Sequence, residues 1–296
     1  MVPPVADLIA KTGTLYSGGA FDEIDVEIES FLSGDLSFIK ESIVDWITES
    51  AQDDKILPAF RDAVEFDEGL FSNVNLVRRA GISLTISSLS GTDLAVKREN
   101  GSRSRVQFSG QKVYFKFLIA NRLVLNVWEC DPFGDSSDFA SLKCWKAREL
   151  VVHDGDVVEV DGTFQSLSFV SCEGSAVFLQ VENIGRDVGS SVAFESQSGK
   201  YLATFPTSRP ALRKMVMCSA LRHLEAQDRL GSLPPAVQQG PFYQRWHVIR
   251  ELVAAGAINR RALLEGLLAQ DNNPSVRRAA TATLNLIAKQ ESVDVG

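Results

Sequence analysis

From Phe21 the apolar residues Phe21, Ile24, Ile28 and Phe31 or Leu32 recur every three to four positions and stop at Gly34. That is the 3.6-residue period of a helix with one buried face. Asp35 then stands as an N-cap before Leu36, Ile39, Ile43 and Ile47, with Trp46 beside them. The pattern predicts a second helix to about Ser50 and a tight hairpin at Ser33-Gly34-Asp35. A weaker helical stretch runs through Phe60, Val64 and Glu65 before Gly69. The acidic residues of these helices read as outer, solvated positions.

The period changes near residue 81. Ile82, Leu84 and Ile86 alternate with polar residues, Leu94 and Val96 repeat the alternation, and Asn100-Gly101 is a two-residue hairpin signal. The alternation continues through Val106 and Phe108, then Val113 to Ile119, Leu123 to Val127, Leu150 and Val152, Val158 and Val160, Leu167 and Phe169, and Val177 to Val181. Turns are expected at Asp154-Gly155, Asp161-Gly162, Glu173-Gly174 and Ser198-Gly199. Eight or nine short strands at this spacing suit an antiparallel barrel or jelly roll rather than a parallel sheet with crossover helices.

Helical spacing returns at Ser208, a cap with Pro210 in the first turn, and assigns Leu212, Met215, Val216 and Leu224 to one buried face. Arg229 to Gly240, with Pro234 and Pro235, reads as a loop. Phe242, Trp246, Ile249 and Val253 mark the next helix, and Leu263, Leu264, Leu267 and Leu268 another. The last is capped by Asn273, starts at Pro274 and is expected to bury Val276, Ala280, Leu284 and Ile287. The expected fold class is α+β, with N-terminal helices over 1–74, a β-barrel over 75–205 and a helical segment over 206–296.

Composition narrows the class. The 296 residues are 45% hydrophobic and carry a net charge of −8. Residues 1–70 hold 4 Lys+Arg against 16 Asp+Glu, residues 71–205 hold 14 against 15, and residues 206–296 hold 12 against 7. An acidic head and a basic tail attract each other within or between chains, and the overall acidity disfavours nucleic acid. No stretch reads as a leader or a membrane span, and the four cysteines, Cys130, Cys144, Cys172 and Cys218, contain no C-x-x-C pair. A reducing cytoplasm is the expected compartment, with the thiols as small buried apolar groups.

Two resemblances follow from particular runs of residues. Asp271-Asn272-Asn273-Pro274-Ser275-Val276-Arg277-Arg278-Ala279-Ala280, followed by Leu284, resembles the second-helix signature of a HEAT repeat. Asp and Pro set the turn, Val and Ala permit close helix packing, and Arg lies on the rim. The resemblance implies either a protein-binding scaffold or, for a single repeat, a cover for an edge of the barrel. Leu150 to Gly162, with Gly155-Asp156 before the strand and Gly162 after it, resembles a cupin barrel. It implies a double-stranded β-helix, in which Gln165 stands where the second motif carries a metal-binding His. The first motif's His-x-His is missing, since His153, His223 and His247 are the three histidines and lie far apart. The usual imidazole set for iron or manganese is therefore lacking, and neither cofactor, metal site nor catalytic residue is assigned.

Other chemistry finds no motif. G-x-x-x-x-G-K-[ST], G-x-S-x-G, H-E-x-x-H and G-x-G-x-x-G do not occur. The densest polar cluster, Tyr243 to Glu251, offers Arg245, Trp246, His247 and Arg250 to a partner, with Arg277 and Arg278 as a basic rim. The leading expectation is a non-enzymatic protein that binds a protein partner or self-associates. The first alternative is a divergent cupin oxygenase or isomerase holding a small-molecule ligand near His153, Glu159 and Gln165. The second is a regulatory nucleic-acid binder using the basic tail.

Overall fold

Two helices open the chain in the computed structural model, α1 (Pro3–Gly18) and α2 (Phe21–Ser33). The structure describes residues 3–34, 36, 64–67, 71–99, 105–185, 189–226, 229, 240–256 and 259–293. Most of the helix expected up to Ser50, the Asn100-Gly101 turn and most of the loop Arg229 to Gly240 lie outside these residues. The chain divides into two compact units: residues 1–130, 144–187 and 195–199, and residues 131–143, 188–194 and 200–296.

In the first unit α2 buries Ile24, Ile28 and Leu32 completely, as their spacing demands. They pack with Val5 and Leu8 of α1 and with Leu84, Tyr114, Leu179 and Val181 of the sheet beneath. The acidic head is thus part of the same core as the strands. Asp25 departs from the expectation that acids here face water, because it is buried and accepts a hydrogen bond from Asn183 Nδ2 at 3.0 Å.

The strands are β1 (Val64–Asp67), β2 (Phe71–Arg79), β3 (Ile82–Ser90), β4 (Arg105–Phe108), β5 (Lys112–Ile119), β6 (Leu123–Cys130), β7 (Cys144–Val152), β8 (Val157–Asp161), β9 (Gln165–Ser171), β10 (Ser175–Asn183), β11 (Ser190–Glu195) and β12 (Tyr201–Pro206). One antiparallel sheet has the order β1-β2-β3-β10-β5-β8 and another the order β7-β6-β9. Inward residues of both sheets meet in one apolar interior containing Phe117, Leu123, Leu125, Val152 and Phe178, with Phe115, Leu167 and Phe169 against them. Each fully buried aromatic or aliphatic side chain there contributes roughly 1.5–3 kcal/mol of transfer free energy. The antiparallel, barrel-like architecture and the α+β class are those read from the strand spacing.

Three local expectations differ. Val64 and Glu65 belong to β1, which pairs along β2, so strand pairing overrides a weak helical period. Leu94 and Val96 lie on helix α3 (Gly91–Glu99), whose first turn is capped by Ser90 Oγ accepting from Asp93 N–H at 3.3 Å. The capping hydroxyl decides for helix where alternation alone suggested strand. Gly162 closes the β8–β9 turn at a point where a Cβ would collide with the Gln111 carbonyl and Ser109 Oγ. Only glycine fits that close approach of two chain segments.

In the second unit, helices α4 (Arg209–His223), α5 (Phe242–Ala254), α6 (Arg260–Gln270) and α7 (Pro274–Val293) share a core of Cys218, Val248, Ile249, Leu252, Leu264, Ala280 and Ile287. Capping follows the sequence closely. Ser208 Oγ accepts from Ala211 N–H, and Asn273 Oδ1 accepts from Ser275 N–H at 2.8 Å and Val276 N–H at 3.2 Å. No described helix is long and apolar enough to cross a membrane.

Candidate functional site

Strand register distributes the barrel's inward residues unevenly. On β10 the inward positions run Ala176, Phe178, Gln180, Glu182, and opposite them on β3 lie Leu89, Ser87, Thr85 and Ser83. On β6 and β9 the sequence is Leu125, Val127, Glu129, paired with Phe169, Leu167 and Gln165. Strand β8 ends where β9 begins, and its Val160 pairs with Val113, itself opposite Glu182. Gln165 and Glu182 therefore belong to the same end of the interior, the polar one, while the phenylalanines fill the other.

At that end Gln180 Nε2 donates to Glu182 Oε1 at 2.6 Å, and Gln165 Nε2 lies 3.5 Å from Glu129 Oε1. Burial pushes the Glu182 carboxyl above its ordinary range, against the opposing pull of the Gln180 amide and the Arg78 guanidinium. These amides, hydroxyls and carboxyls can hydrogen-bond a small polar group. They supply no imidazole and do not match the metal-ligand set that the cupin resemblance implies. Among the described residues no three His, Cys, Asp or Glu side chains gather to hold a metal ion.

The structure does not bring His153, Glu159 and Gln165 together. His153 sits at the β7–β8 turn, at the opposite end from Gln165, where its side chain is 77% exposed and its Nδ1 lies 3.5 Å from Asp156 Oδ2. Glu159 points outward beside Tyr114 and takes an ion pair from Lys112 Nζ at 2.7 Å. Gln165 alone of the three faces the interior. Alternation along a strand reveals a residue's side of the sheet, but which side is inside depends on the partner strands.

The polar cluster of α5 is engaged within its own unit. Arg245 donates to both oxygens of Asp271 at 2.8 and 2.9 Å, and to Asp135 Oδ2 at 2.7 Å. Arg278 grips Asp138 through two hydrogen bonds of 2.7 and 3.0 Å, and Asn273 Nδ2 donates to the Asp135 carbonyl at 2.6 Å. Arg277 donates to the Asp271 carbonyl at 2.7 Å. The residues of the HEAT-like signature thus clasp the loop 131–143 of the same chain. Trp246 packs against the helical core, as a large aromatic at a helical period usually does.

His247 resembles a triad member only at first sight. Its Nε2 lies 3.0 Å from the Met215 carbonyl and 3.0 Å from Ser219 Oγ, while Nδ1 faces Arg250 Nη2 at 3.0 Å. A carbonyl can only accept and a guanidinium can only donate, so Nε2 carries the proton and Nδ1 the lone pair. A ring so arranged cannot take a proton from Ser219. Burial, then the Arg250 charge, lowers the His247 pKa and keeps the ring neutral. Glu251 is held ionised despite its burial by hydrogen bonds from Arg222 and Arg250.

Cys130, Cys144 and Cys218 are buried as expected, whereas Cys172 is only partly so. Cys130 and Cys144 are paired across β6 and β7, both buried, and burial pushes Cys144 up to about 11. That favours the thiol over the reactive thiolate.

Helix α4 is rotated relative to the expected face. Ala211 and Cys218 are buried, whereas Leu212, Val216, Met217 and Leu224 are exposed, Val216 to 68% and Leu224 to 76%. Residues 212, 216, 220 and 224 form one i, i+4 ridge, and Arg209 and Arg213, both exposed, flank its first turn. Apolar spacing located the helix but could not say which of two apolar stripes was covered.

No protein-family model matches the chain, and no curated protein sequence matches it either. Among solved structures, KdgF from Halomonas sp. is similar with a TM-score of 0.28 and 9% identity, over 42% of this chain and 89% of that one. A cupin 2 conserved barrel domain protein from Salinispora arenicola is similar with a TM-score of 0.27 and 11% identity, over 41% and 82%. An HTH_3 family transcriptional regulator from Vibrio cholerae gives 0.25 and 12%, over 45% of this chain, which spans 61% of the regulator. Likenesses of this size decide nothing about the chemistry of this chain.

Proposed function

We propose that the protein is an interaction protein whose helical unit receives an acidic, amphipathic helical segment of a protein partner on α4. The observation that carries the reading is the exposed ridge of Leu212, Val216 and the C-cap Leu224, with exposed Met217 beside it, on a helix that buries Ala211 and Cys218 on its other side. Exposed apolar residues scattered singly are ordinary, but a contiguous ridge along one helix is the kind of surface that an apolar helix face covers. Arg209 and Arg213 beside it, within a segment holding 12 Lys+Arg against 7 Asp+Glu, favour an acidic occupant. His153, Glu159 and Gln165 are not proposed as one reaction site, because two of the three point to solvent.

The test is fluorescence anisotropy of the full chain with a labelled acidic amphipathic helical peptide and with its basic counterpart. The acidic peptide should bind with an affinity that falls as salt is raised, and Val216→Glu should abolish binding while leaving the circular dichroism spectrum unchanged. Failure of the acidic peptide to bind, or equal binding of both peptides, would sink the reading.

A further inference from the structure

Strand β7 pairs with β6 on one side, and among the described residues its other edge is met only at Cys144, beside the antiparallel bridge of Lys143 with Lys200, and no strand pairs with it from Trp145 to Leu150. It is also exposed on both faces: Trp145 is 46% and Val151 49% accessible, and Lys146, Ala147, Arg148 and Glu149 are exposed as well. A free, exposed strand edge with large apolar residues is a template for another strand.

The edge has a defined hydrogen-bonding pattern. The Cys144 N–H turns away from β6 and donates to the Gly199 carbonyl at 3.0 Å. Main-chain groups alternate in direction along a strand, so those of Lys146 also point to the free edge. Between Lys146 and Arg148 the register with β6 slips by one residue, leaving Ala147 as a bulge. Beyond the bulge the alternation resumes with Glu149 and Val151 directed to the free edge.

The same slip sets the side-chain faces. Lys146 and Glu149 pair with Trp128 and Asn126 and share the outer face of the sheet, whereas Trp145 and Leu150 pair with Glu129 and Leu125 on the inner face. Without the bulge, residues 146 and 149 would lie on opposite faces. With it, a two-fold axis at Ala147 and Arg148 matches the strand to a second copy of itself. Lys146 then meets the partner's Glu149 with both main chains aimed at each other, and Trp145 meets the partner's Leu150.

We propose that two copies of this chain pair antiparallel through the free edge of β7, with Lys146 of each opposite Glu149 of the other. The occupant is a second copy because one register satisfies main-chain direction, face and charge together. Within one chain Lys146 Nζ already lies 3.1 Å from Glu149 Oε2, so the two charges are held side by side at the edge for exchange between copies. This surface is separate from the α4 ridge, and either can fail without the other.

Light scattering of the full chain at increasing concentration tests the proposal, with Lys146→Glu and Glu149→Lys as variants. The wild type should reach twice the 32.4 kDa of one chain. Each variant alone places like charges opposite each other and should remain at the mass of one chain. An equimolar mixture of the two restores opposite charges across the interface and should recover the doubled mass, which repair of a contact within one chain would not achieve. A wild type that remains at the mass of one chain, a single variant that still doubles, or a mixture that does not, overturns the proposal. Hydrogen exchange of the wild-type Lys146 and Glu149 amides gives a variant-free readout. Protection that rises with concentration supports the pairing, and protection independent of concentration contradicts it.

Discussion

Arg245 holds Asp271 in a two-pronged hydrogen bond, Nε to Oδ2 at 2.8 Å and Nη2 to Oδ1 at 2.9 Å, in a setting where the Asp271 side chain is only 2% exposed. The planar guanidinium matches the carboxylate and still reaches Asp135 with its remaining nitrogen. One side chain thus joins the start of α5, the turn before α7 and the loop 131–143.

Removing that guanidinium should be costly. Arg245→Met leaves a buried carboxylate unpaired and should destabilise the helical unit by about 3 kcal/mol, read by urea denaturation. Arg245→Lys keeps the charge but loses the fork and should fall between wild type and Arg245→Met. The double change Arg245→Met with Asp271→Leu should cost less than Arg245→Met alone. Burial opposes the Asp271 charge, yet Arg245 and the Asn273 N–H hold its pKa below the ordinary 3.8. Its stabilising share is therefore present above that value and is lost as pH falls through the depressed one.

Glu182 should behave in the opposite sense. Its pKa is raised by burial above the ordinary 4.5, so the folded barrel holds that proton more tightly than the unfolded chain. Stability then declines as pH rises from 4.5 through the raised value. Glu182→Gln, which still accepts from Gln180, should flatten that decline and raise the melting temperature at neutral pH. A carboxyl chemical-shift titration checks the direction of the shift directly.

His247 predicts an acid-sensitive helical unit. Its folded pKa lies below the ordinary 6.5, so stability is full above 6.5 and is lost as pH falls toward the lowered value. Protonation would set a charged ring against Arg250. His247→Gln keeps a donor for the Met215 carbonyl and should remove that part of the pH dependence. Thermal melts of both proteins between neutral and mildly acidic pH measure it.

The β5–β6 turn offers a stabilising change. Asn121 and Arg122 both have positive φ, 47° and 53°, the conformation for which Asn-Gly is the preferred pair. Arg122→Gly removes the Cβ strain and loses an exposed ion pair with Glu173. The expected net gain is roughly 0.5 kcal/mol, visible as a higher melting temperature.

Much of the fold is written in periodicity. Ile24, Ile28 and Leu32 announced α2, alternation announced β5, β6, β9 and β10, and Ser208, Asn273 and Pro274 announced where α4 and α7 begin. These signals are local, since a period or a capping oxygen acts within a few residues of itself. Helix α1 carries no such signal: Val5, Leu8 and Thr12 are buried at helical spacing, but a run with so few large apolar residues says little until a sheet lies against it.

The site was less legible for the same reason. Gln165 is marked in the sequence by its place after Gly162, and its register opposite Glu129 puts it on the interior face. Glu182 and Gln180 give no sequence signal, because a carboxyl and an amide on a strand look solvated until the opposite sheet closes over them. Arg245, Arg277 and Arg278 looked like a surface for a partner, yet their acceptors are Asp135, Asp138 and Asp271 of the same chain, the first two over a hundred positions away.

By itself the sequence determined many of the helices and strands, though not α1, β1 or α3, where several of them start, and that the cupin-like run lacks its imidazoles. Only the tertiary structure decided which side of each strand is inside, which stripe of α4 is covered and which charges are already paired. Those properties depend on what lies across the gap, and burial and ion pairing are made between segments that the order of residues does not place together.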